Sequence, residues 1–379
     1  MRNLLFTPGP LTTSDEVKQA MLRDLGSRDP AFLGVVREVR CKLLAIAGAA
    51  QGEYEAILMQ GSGTFGIEAV LSSCIPASGK LLVAINGAYG RRMTDIARRL
   101  GIAVAKVEGP ESLPVNPEAV EKALEGEAGF THLGVIHCET TTGILNPVDE
   151  MGKIAQRRGV CLIVDAMSSF GAVPLDLEKS NAGYVVSSSN KCLEGAPGFS
   201  FVLARRKEFL AAEGAARSLA LDLHAQWRGL ERDGQFRFTP PTHVILAFGQ
   251  ALIEFEAEGG VAGRAARYKA NRETLRAGMR DLGFREYLAP EHQSHIITSY
   301  RYPDARPFDF EQFYAKLSEC RFTIYPGKVT GADCFRIGTI GRLFPEDFKA
   351  LLAATAEVLA EMSFEPGRLM KEAEACATA

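Results

Sequence analysis

The sequence predicts an α/β protein: a large domain built on a mostly parallel, seven-stranded sheet, followed by a smaller α+β domain. Three observations carry this. Short apolar runs alternate with helix-period stretches between about residues 54 and 205. That alternation builds a parallel sheet with helices on both faces. The C-terminal third changes to a less regular mixture of strands and helices. The 379 residues, 46% hydrophobic and 23% charged, hold enough apolar surface for more than one core.

The expected strands are 56–59, 80–85, 103–107, 131–137, 160–165, 184–188 and 198–204. Helix-period stretches at 64–74, 88–100, 116–124 and 148–158 separate the earlier ones. Little helix lies between the last runs, so at least one of those strands is expected to be antiparallel. A long helical stretch covers 244–282, and Gly259, Gly260 and Gly263 are expected to break it into two helices. The remainder reads as strand 294–299, helix 310–319, strands 322–324 and 334–337, and helix 345–362. These elements suggest an N-terminal segment 1–15, a large domain 16–260, a small domain 261–365 and a frayed tail 366–379.

Forty-three Lys and Arg against 46 Asp and Glu give a formal charge of −3. A nucleic-acid binder normally shows a basic excess. No apolar run is long enough to span a bilayer. The first residues are too weakly apolar for a signal peptide, so a cytoplasmic protein is expected. Eight cysteines (41, 74, 138, 161, 192, 320, 334 and 376) form no CxxC pair and no cluster with histidine. They read as reduced thiols, with no metal site.

Three segments fall at strand carboxyl ends, where open α/β sheets bind ligands. Gln60-Gly61-Ser62-Gly63-Thr64 opens a helix. Its glycines admit a close backbone approach and its free N–H groups suit a phosphate. It is neither a Walker A loop nor a complete dinucleotide fingerprint. Asp165 ends an apolar strand, and alone it would be read as a cap. Lys191 follows Ser187-Ser188-Ser189-Asn190. A lone lysine is usually a solvated surface group, but in this setting it can serve as a Schiff-base amine. Together the three supply what pyridoxal 5'-phosphate requires: a phosphate cup, a carboxylate for the pyridine nitrogen, and an amine for the aldehyde. Tyr89 is placed to stack on such a ring, or to be a core aromatic. Arg336 sits among apolar residues and needs an anionic partner, either structural or bound.

The motifs Gly61-Ser62-Gly63-Thr64, Asn86-Gly87-Ala88-Tyr89-Gly90, Glu139-Thr140-Thr141-Thr142-Gly143, Val164-Asp165-Ala166-Met167, Ser189-Asn190-Lys191 and Phe335-Arg336-Ile337-Gly338 resemble class V, fold-type I pyridoxal-phosphate aminotransferases. The likeness runs over about residues 4–360. The blocks at 7–13, 164–171, 188–198, 219–227, 237–243 and 324–329 resemble the branch that uses 2-aminoethylphosphonate as donor and pyruvate as acceptor. The sister alanine–glyoxylate and serine–pyruvate enzymes share only the general pattern.

The resemblance implies that Lys191 binds the cofactor and shuttles the proton, and that Asp165 pairs with the ring nitrogen. Ser62, Gly63 and Thr64 would hold the phosphate. Asn190 would stand beside them, and Thr239 would reach in from the second subunit of a homodimer. Tyr89 would stack on the ring, Thr140 or Thr141 would bond its oxygen, and Arg336 would hold the acidic end of each substrate. A phosphonate carries more charge than a carboxylate, so a second cation is expected, with Lys328 and Arg92 as candidates. The segment Gly26-Ser27-Arg28-Asp29-Pro30 departs from the family pattern; Arg28 is either a further phosphonate ligand or a surface residue. A pyridoxal-phosphate lyase of the cysteine desulfurase type needs a nucleophilic cysteine on a mobile loop, for which only Cys334 comes near.

Overall fold

The expected strand runs become one sheet in the computed structural model, which describes residues 3–49, 52–303 and 308–364. The expected tail at 366–379 and Cys376 lie outside the described residues. In chain order the strands are β1 (Leu4–Leu5), β2 (Tyr54–Gln60), β3 (Lys80–Ile85), β4 (Ala103–Glu108), β5 (Phe130–Ile136), β6 (Cys138–Glu139), β7 (Ile144–Leu145), β8 (Cys161–Asp165), β9 (Ala182–Ser188), β10 (Phe199–Arg205), β11 (Ile297–Arg301), β12 (Phe322–Thr323), β13 (Tyr325–Pro326) and β14 (Cys334–Gly338).

The main sheet has seven strands in the order β2-β10-β9-β8-β5-β3-β4. Only β10 runs against its neighbours, β2 and β9; the β9–β8–β5–β3–β4 pairings are parallel. The central strands are buried on both faces, which is why β8 and β9 read as nearly unbroken apolar runs. The edge strand β4 alternates partly buried and exposed positions and carries Lys106 and Glu108, charges that blunt an open edge. One consequence governs the site. The carboxyl ends of β2, β3, β5, β8 and β9 all emerge on one side of the sheet.

The helices Gly63–Cys74, Ala88–Arg99, Pro117–Gly126 and Val148–Arg158 follow the expected stretches closely. The long stretch is broken as its glycines require, into Thr242–Ala257 and Gly260–Asp281. Gly259 and Gly260 have φ of 96° and 65°, a region that favours glycine.

Some elements differ from expectation. The strand expected at 294–299 lies at Ile297–Arg301, because residues 293–295 are engaged elsewhere. Ser294 N–H donates to the Gly143 carbonyl at 2.9 Å, and Thr339 Oγ1 donates to the His295 carbonyl at 2.7 Å. The helices Pro30–Ile46 and Leu223–Asp233 were not foreseen. Nor was the β6–β7 hairpin, which the Glu139–Gly143 motif closes with Gly143 at φ 105°.

The apolar side chains form a large cluster between Phe32 and Phe255. A second cluster runs from Leu275 to Phe364 and also takes in Phe6. Its sheet is β11-β14-β13, with β1 paired to β12 nearby. The N-terminal segment therefore belongs to the packing of the C-terminal part. A smaller cluster, including Leu11, Cys138, Cys192, Tyr268 and Ile340, joins segments from both parts.

Candidate active site

Lys191 follows the carboxyl end of β9, in a tight turn. Glu194 N–H donates to the Lys191 carbonyl at 2.8 Å, and Gly195 N–H to the Ser189 carbonyl at 2.9 Å. The Ser189 hydroxyl closes the turn on the Ala196 carbonyl at 2.6 Å. The lysine Nζ points inward and donates to the Pro8 carbonyl at 2.9 Å. Burial pulls its pKa below the ordinary lysine value, against the opposing influence of Tyr89, Cys192 and Asp165. A lowered pKa leaves more of the lysine as the nucleophilic amine.

Asp165 ends β8, the central strand of the sheet, with three strands on either side. One of its oxygens accepts from Met167 N–H at 2.9 Å. Burial raises the carboxyl to about 6, opposed by that hydrogen bond and by the charges of Arg92 and Lys191. Such a carboxylate is stabilised by a neighbouring cation.

Ser62 caps the helix Gly63–Cys74 with extended backbone, and its side chain makes no capping bond. The first-turn N–H groups of a helix have no partner within it, so this end presents donors and positive potential to an anion. A Cβ on Gly63 would overlap the Met167 sulfur; glycine lets the helix start approach the Asp165 turn. Arg92 Nη1 donates to Thr64 Oγ1 at 3.2 Å, adding a cation at the same end.

Tyr89 opens the helix Ala88–Arg99, which no side chain of its own caps. The cap comes from the β6–β7 hairpin. Glu139 accepts from Tyr89 N–H at 3.1 Å, and Thr141 Oγ1 accepts from Ala88 N–H at 3.1 Å. The Thr141 hydroxyl donates in turn to Glu139 at 2.6 Å. Both hydroxyls of the pair are engaged within the chain, Thr141 as described and Thr140 with Tyr89. The guanidinium of Arg92 stands 4.9 Å from the Tyr89 ring centre and Lys328 Nζ 5.5 Å from it. Burial raises the Tyr89 phenol. A hydrogen bond with Thr140 and the charges of Lys328, Lys191 and Arg336 outweigh it and leave the phenol below its ordinary value.

Arg336 lies within β14, only 2% exposed. Its Nε donates to the Pro326 carbonyl at 2.9 Å and its Nη1 to the Thr140 carbonyl at 2.8 Å. Among the described residues no carboxylate forms an ion pair with it. A buried cation without a counter-ion is costly, and here it stands beside Tyr89, at the edge of the lysine site.

Gly63, Thr64, Tyr89, Arg92, Asp165 and Lys191 line one cavity with Met167, Ser168 and a set of apolar side chains. The other expected residues do not line it. Ser62 and Asn190 flank the cup and the lysine in sequence. Thr239 is exposed in this chain, and its carbonyl accepts from Gln60 Nε2 at 3.1 Å. Arg28 is exposed near Asp233 and does not line the cavity. Cys334 is a buried strand residue whose thiol burial raises to about 11, unlike the exposed, activated thiol of a lyase. Sequence reasoning gave no role to Glu139, Met167 or Pro8. Glu139 stood inside a quoted motif, but its remote capping depends on a tertiary contact.

The residues fit pyridoxal 5'-phosphate. The donor end of the helix Gly63–Cys74, the buried Asp165 with an oxygen to spare, and the buried Lys191 amine surround one cavity, and each can meet a different part of that molecule. Such a constellation on this sheet defines a pyridoxal-phosphate transferase. The chain belongs to the class-V aminotransferases: the family model described as aminotransferase class-V matches residues 15–317. Pyridoxal phosphate is its cofactor.

Its relatives narrow the class. The chain is 50% identical over 358 residues to a protein of Syntrophobacter fumaroxidans named 2-aminoethylphosphonate–pyruvate transaminase, covering 94% of this chain and 96% of the relative. A protein of that name from Klebsiella pneumoniae subsp. pneumoniae is 50% identical over 353 residues, covering 93% and 96%. Among solved structures, an alanine–glyoxylate aminotransferase from Nostoc sp. superposes with a TM-score of 0.87 at 26% identity, covering 95% of this chain and 96% of that one. No helix of the described residues is long and apolar enough to cross a membrane.

Proposed function

We propose that this chain transfers the amino group of 2-aminoethylphosphonate to pyruvate, forming phosphonoacetaldehyde and L-alanine. The observation that carries the reading is the buried Arg336, which forms no ion pair with a carboxylate among the described residues and which, like the Lys191 amine, acts on Tyr89. One site holds an acid group, the other works on the carbon next to an amine. Near-half identity over nearly the whole chain with transaminases of that name supports the choice of substrates.

When bound, pyridoxal phosphate supplies an aldehyde that accepts amines and a ring that stabilises negative charge on the carbon bearing the nitrogen. The protein does the rest. Ser62, Gly63 and Thr64 hold the phosphate at the helix N-terminus, with Asn190 nearby. Asp165, as carboxylate, keeps the ring nitrogen protonated. Lys191, as a free amine, takes the proton from the donor carbon and returns it one position away. Arg336 grips the phosphonate of the donor, then the carboxylate of pyruvate, because its planar fork suits either oxyanion. Lys328 and Arg92 add positive charge for the doubly ionised phosphonate. Tyr89 forms the wall between these groups. Apolar neighbours such as Ile67, Met93 and Ile96 limit water at the reacting carbon.

The proposal includes a homodimer in the cytoplasm. Phe65 and Phe238, 52% and 45% exposed, stand near Gln60 and Thr239. A second copy on this face would cover them and bring its Thr239 to the neighbouring phosphate cup. The proposal also divides the chain near residue 260, supported by the separate apolar clusters on either side.

Donor profiling tests the reading. Purified, cofactor-saturated protein should form L-alanine from pyruvate far faster with 2-aminoethylphosphonate than with L-serine. A preference for L-serine, or for glyoxylate with L-alanine, would assign the chain to the sister activity.

A further inference from the structure

The segment that carries Pro8 shares no part of the sheet on which the cofactor residues stand, yet it touches the lysine. Lys191 Nζ donates to the Pro8 carbonyl at 2.9 Å. A Cβ on the adjacent Gly9 would overlap that nitrogen and stand 2.8 Å from the lysine Cδ. Gly9 also has φ of +121°, a conformation that L side chains rarely adopt. Position 9 is thus restricted to glycine twice over, once by backbone shape and once by the amine itself.

The segment is braced from within. The Thr7 hydroxyl donates to the Pro10 carbonyl at 2.6 Å and accepts from Gly9 N–H at 3.3 Å. Thr12 Oγ1 accepts from Leu5 N–H at 2.8 Å. It is also anchored to the C-terminal part. Phe6 N–H donates to the Thr323 carbonyl at 2.8 Å, and Gly338 N–H donates to the Phe6 carbonyl at 2.9 Å. Gly338 ends the strand that carries Arg336, and a Cβ on it would overlap the Thr7 carbonyl.

We propose that residues 6–12 form a positioning strap whose Pro8 carbonyl receives the Lys191 amine whenever that amine is free, and whose anchorage on β14 ties this rest position to the strand of Arg336. This rests on the transaminase reading above. A neutral amine has two N–H bonds and one lone pair. Giving one N–H to Pro8 fixes the nitrogen at the end of a flexible four-carbon chain and leaves the lone pair free to accept a proton. Fixing a general base in this way raises the fraction of time it is correctly placed. The substrate's acid end, held on β14, and the base, held by a loop hydrogen-bonded to β14, then share one frame.

The test uses Gly9→Ala, which pushes the amine off the carbonyl, and Thr7→Val, which removes the brace and leaves the lysine untouched. The L-alanine half-reaction of the holoenzyme is followed by stopped flow, with ordinary and 2-deuterated L-alanine. The rate of proton removal per cofactor-loaded site should fall roughly tenfold or more in Gly9→Ala and less in Thr7→Val. The deuterium isotope effect should rise in both, with KM changed by less than about threefold because Arg336 is intact. A second arm needs no turnover. In cofactor-free protein, acetylation of Lys191 by acetic anhydride, read by peptide mass spectrometry, should speed up several-fold in both variants, because a carbonyl acceptor stabilises the protonated amine more than the neutral one and its loss leaves more free amine. Variants that lose only thermal stability, with rate per loaded site, isotope effect and acetylation unchanged, would overturn the strap. If Gly9→Ala does not fold, Thr7→Val decides by the same criteria. A wild-type protein inactive on L-alanine would sink the transaminase reading, while the acetylation arm would still judge the strap.

Discussion

Replacing Arg336 by alanine removes a buried cation that forms no ion pair with a carboxylate among the described residues. The size of the effect can be worked from its surroundings. The guanidinium is 2% exposed and directs two N–H groups at the carbonyls of Pro326 and Thr140. Those bonds hold its plane in place, so its charge is preorganised for an oxyanion. Taking one partner from a buried charge pair costs about 3–5 kcal/mol. At about 1.4 kcal/mol per factor of ten, kcat/KM for either acid substrate should fall by roughly 10²-fold to a few thousand-fold. The acid group is held before and during the reaction, so most of the loss should appear in KM rather than kcat. Arg336→Lys keeps the charge without the planar fork, and its loss should be about tenfold smaller. The fold should survive: stranding two carbonyls costs about 1–3 kcal/mol each, but removing a desolvated cation offsets part of it. The assay measures KM separately for 2-aminoethylphosphonate and pyruvate, with a primary amine lacking an acid group as control donor. The control should be nearly unaffected. A folded, cofactor-loaded Arg336→Ala protein with both KM values within about threefold of wild type would refute the reasoning.

Two other perturbations have signs fixed by the structure. Burial raises Asp165 to about 6, and the cofactor's ring cation needs the carboxylate form, so affinity for pyridoxal phosphate should weaken as pH falls through that value. Between about pH 7 and pH 5 the Asp165 contribution is roughly tenfold. It is measured by fluorescence titration as the difference from Asp165→Asn, which cancels titration of the phosphate; identical pH profiles for the two proteins would contradict it. Glu139 is buried and holds the N–H groups of Tyr89 and Thr141 at 3.1 Å each. Glu139→Ala should strand these donors at about 1–3 kcal/mol each. It should lower the melting temperature by roughly 5 °C or more and weaken every contact made by Tyr89; an unchanged melting temperature would show that the cap is not needed.

Much of this architecture could be read from residue order because its signals are local. Strands such as Lys80–Ile85 and helices such as Val148–Arg158 and Phe310–Glu319 appear where periodicity placed them. The site was legible because it is spelled at strand ends: Gly61–Thr64, Asp165 and Lys191 each sit at the carboxyl end of a run. The helix Pro30–Ile46 is marked by its buried stripe of Phe32, Val36, Val39 and Leu43 and by Pro30 in its first turn. This helix precedes the first strand of the main sheet and so stands outside the strand–helix alternation. Other features depend on distant contacts that no local pattern encodes. The strand at Ile297–Arg301 starts late because the preceding residues bond to the hairpin and to Thr339. The capping role of Glu139 and the contact between Pro8 and Lys191 join segments 50 and 183 residues apart. Thr239 and Arg28 are both exposed here, so contacts within the chain fix a role for neither.

The account stands or falls on which side chain holds the cofactor. Borohydride reduction of the cofactor-loaded protein, followed by proteolysis and mass spectrometry, reads this directly. The prediction is a single pyridoxyl-phosphate-modified peptide with the label on Lys191, absent after prior treatment with 2-aminoethylphosphonate, which should displace the lysine. A label on another lysine, or none under excess cofactor, would contradict it.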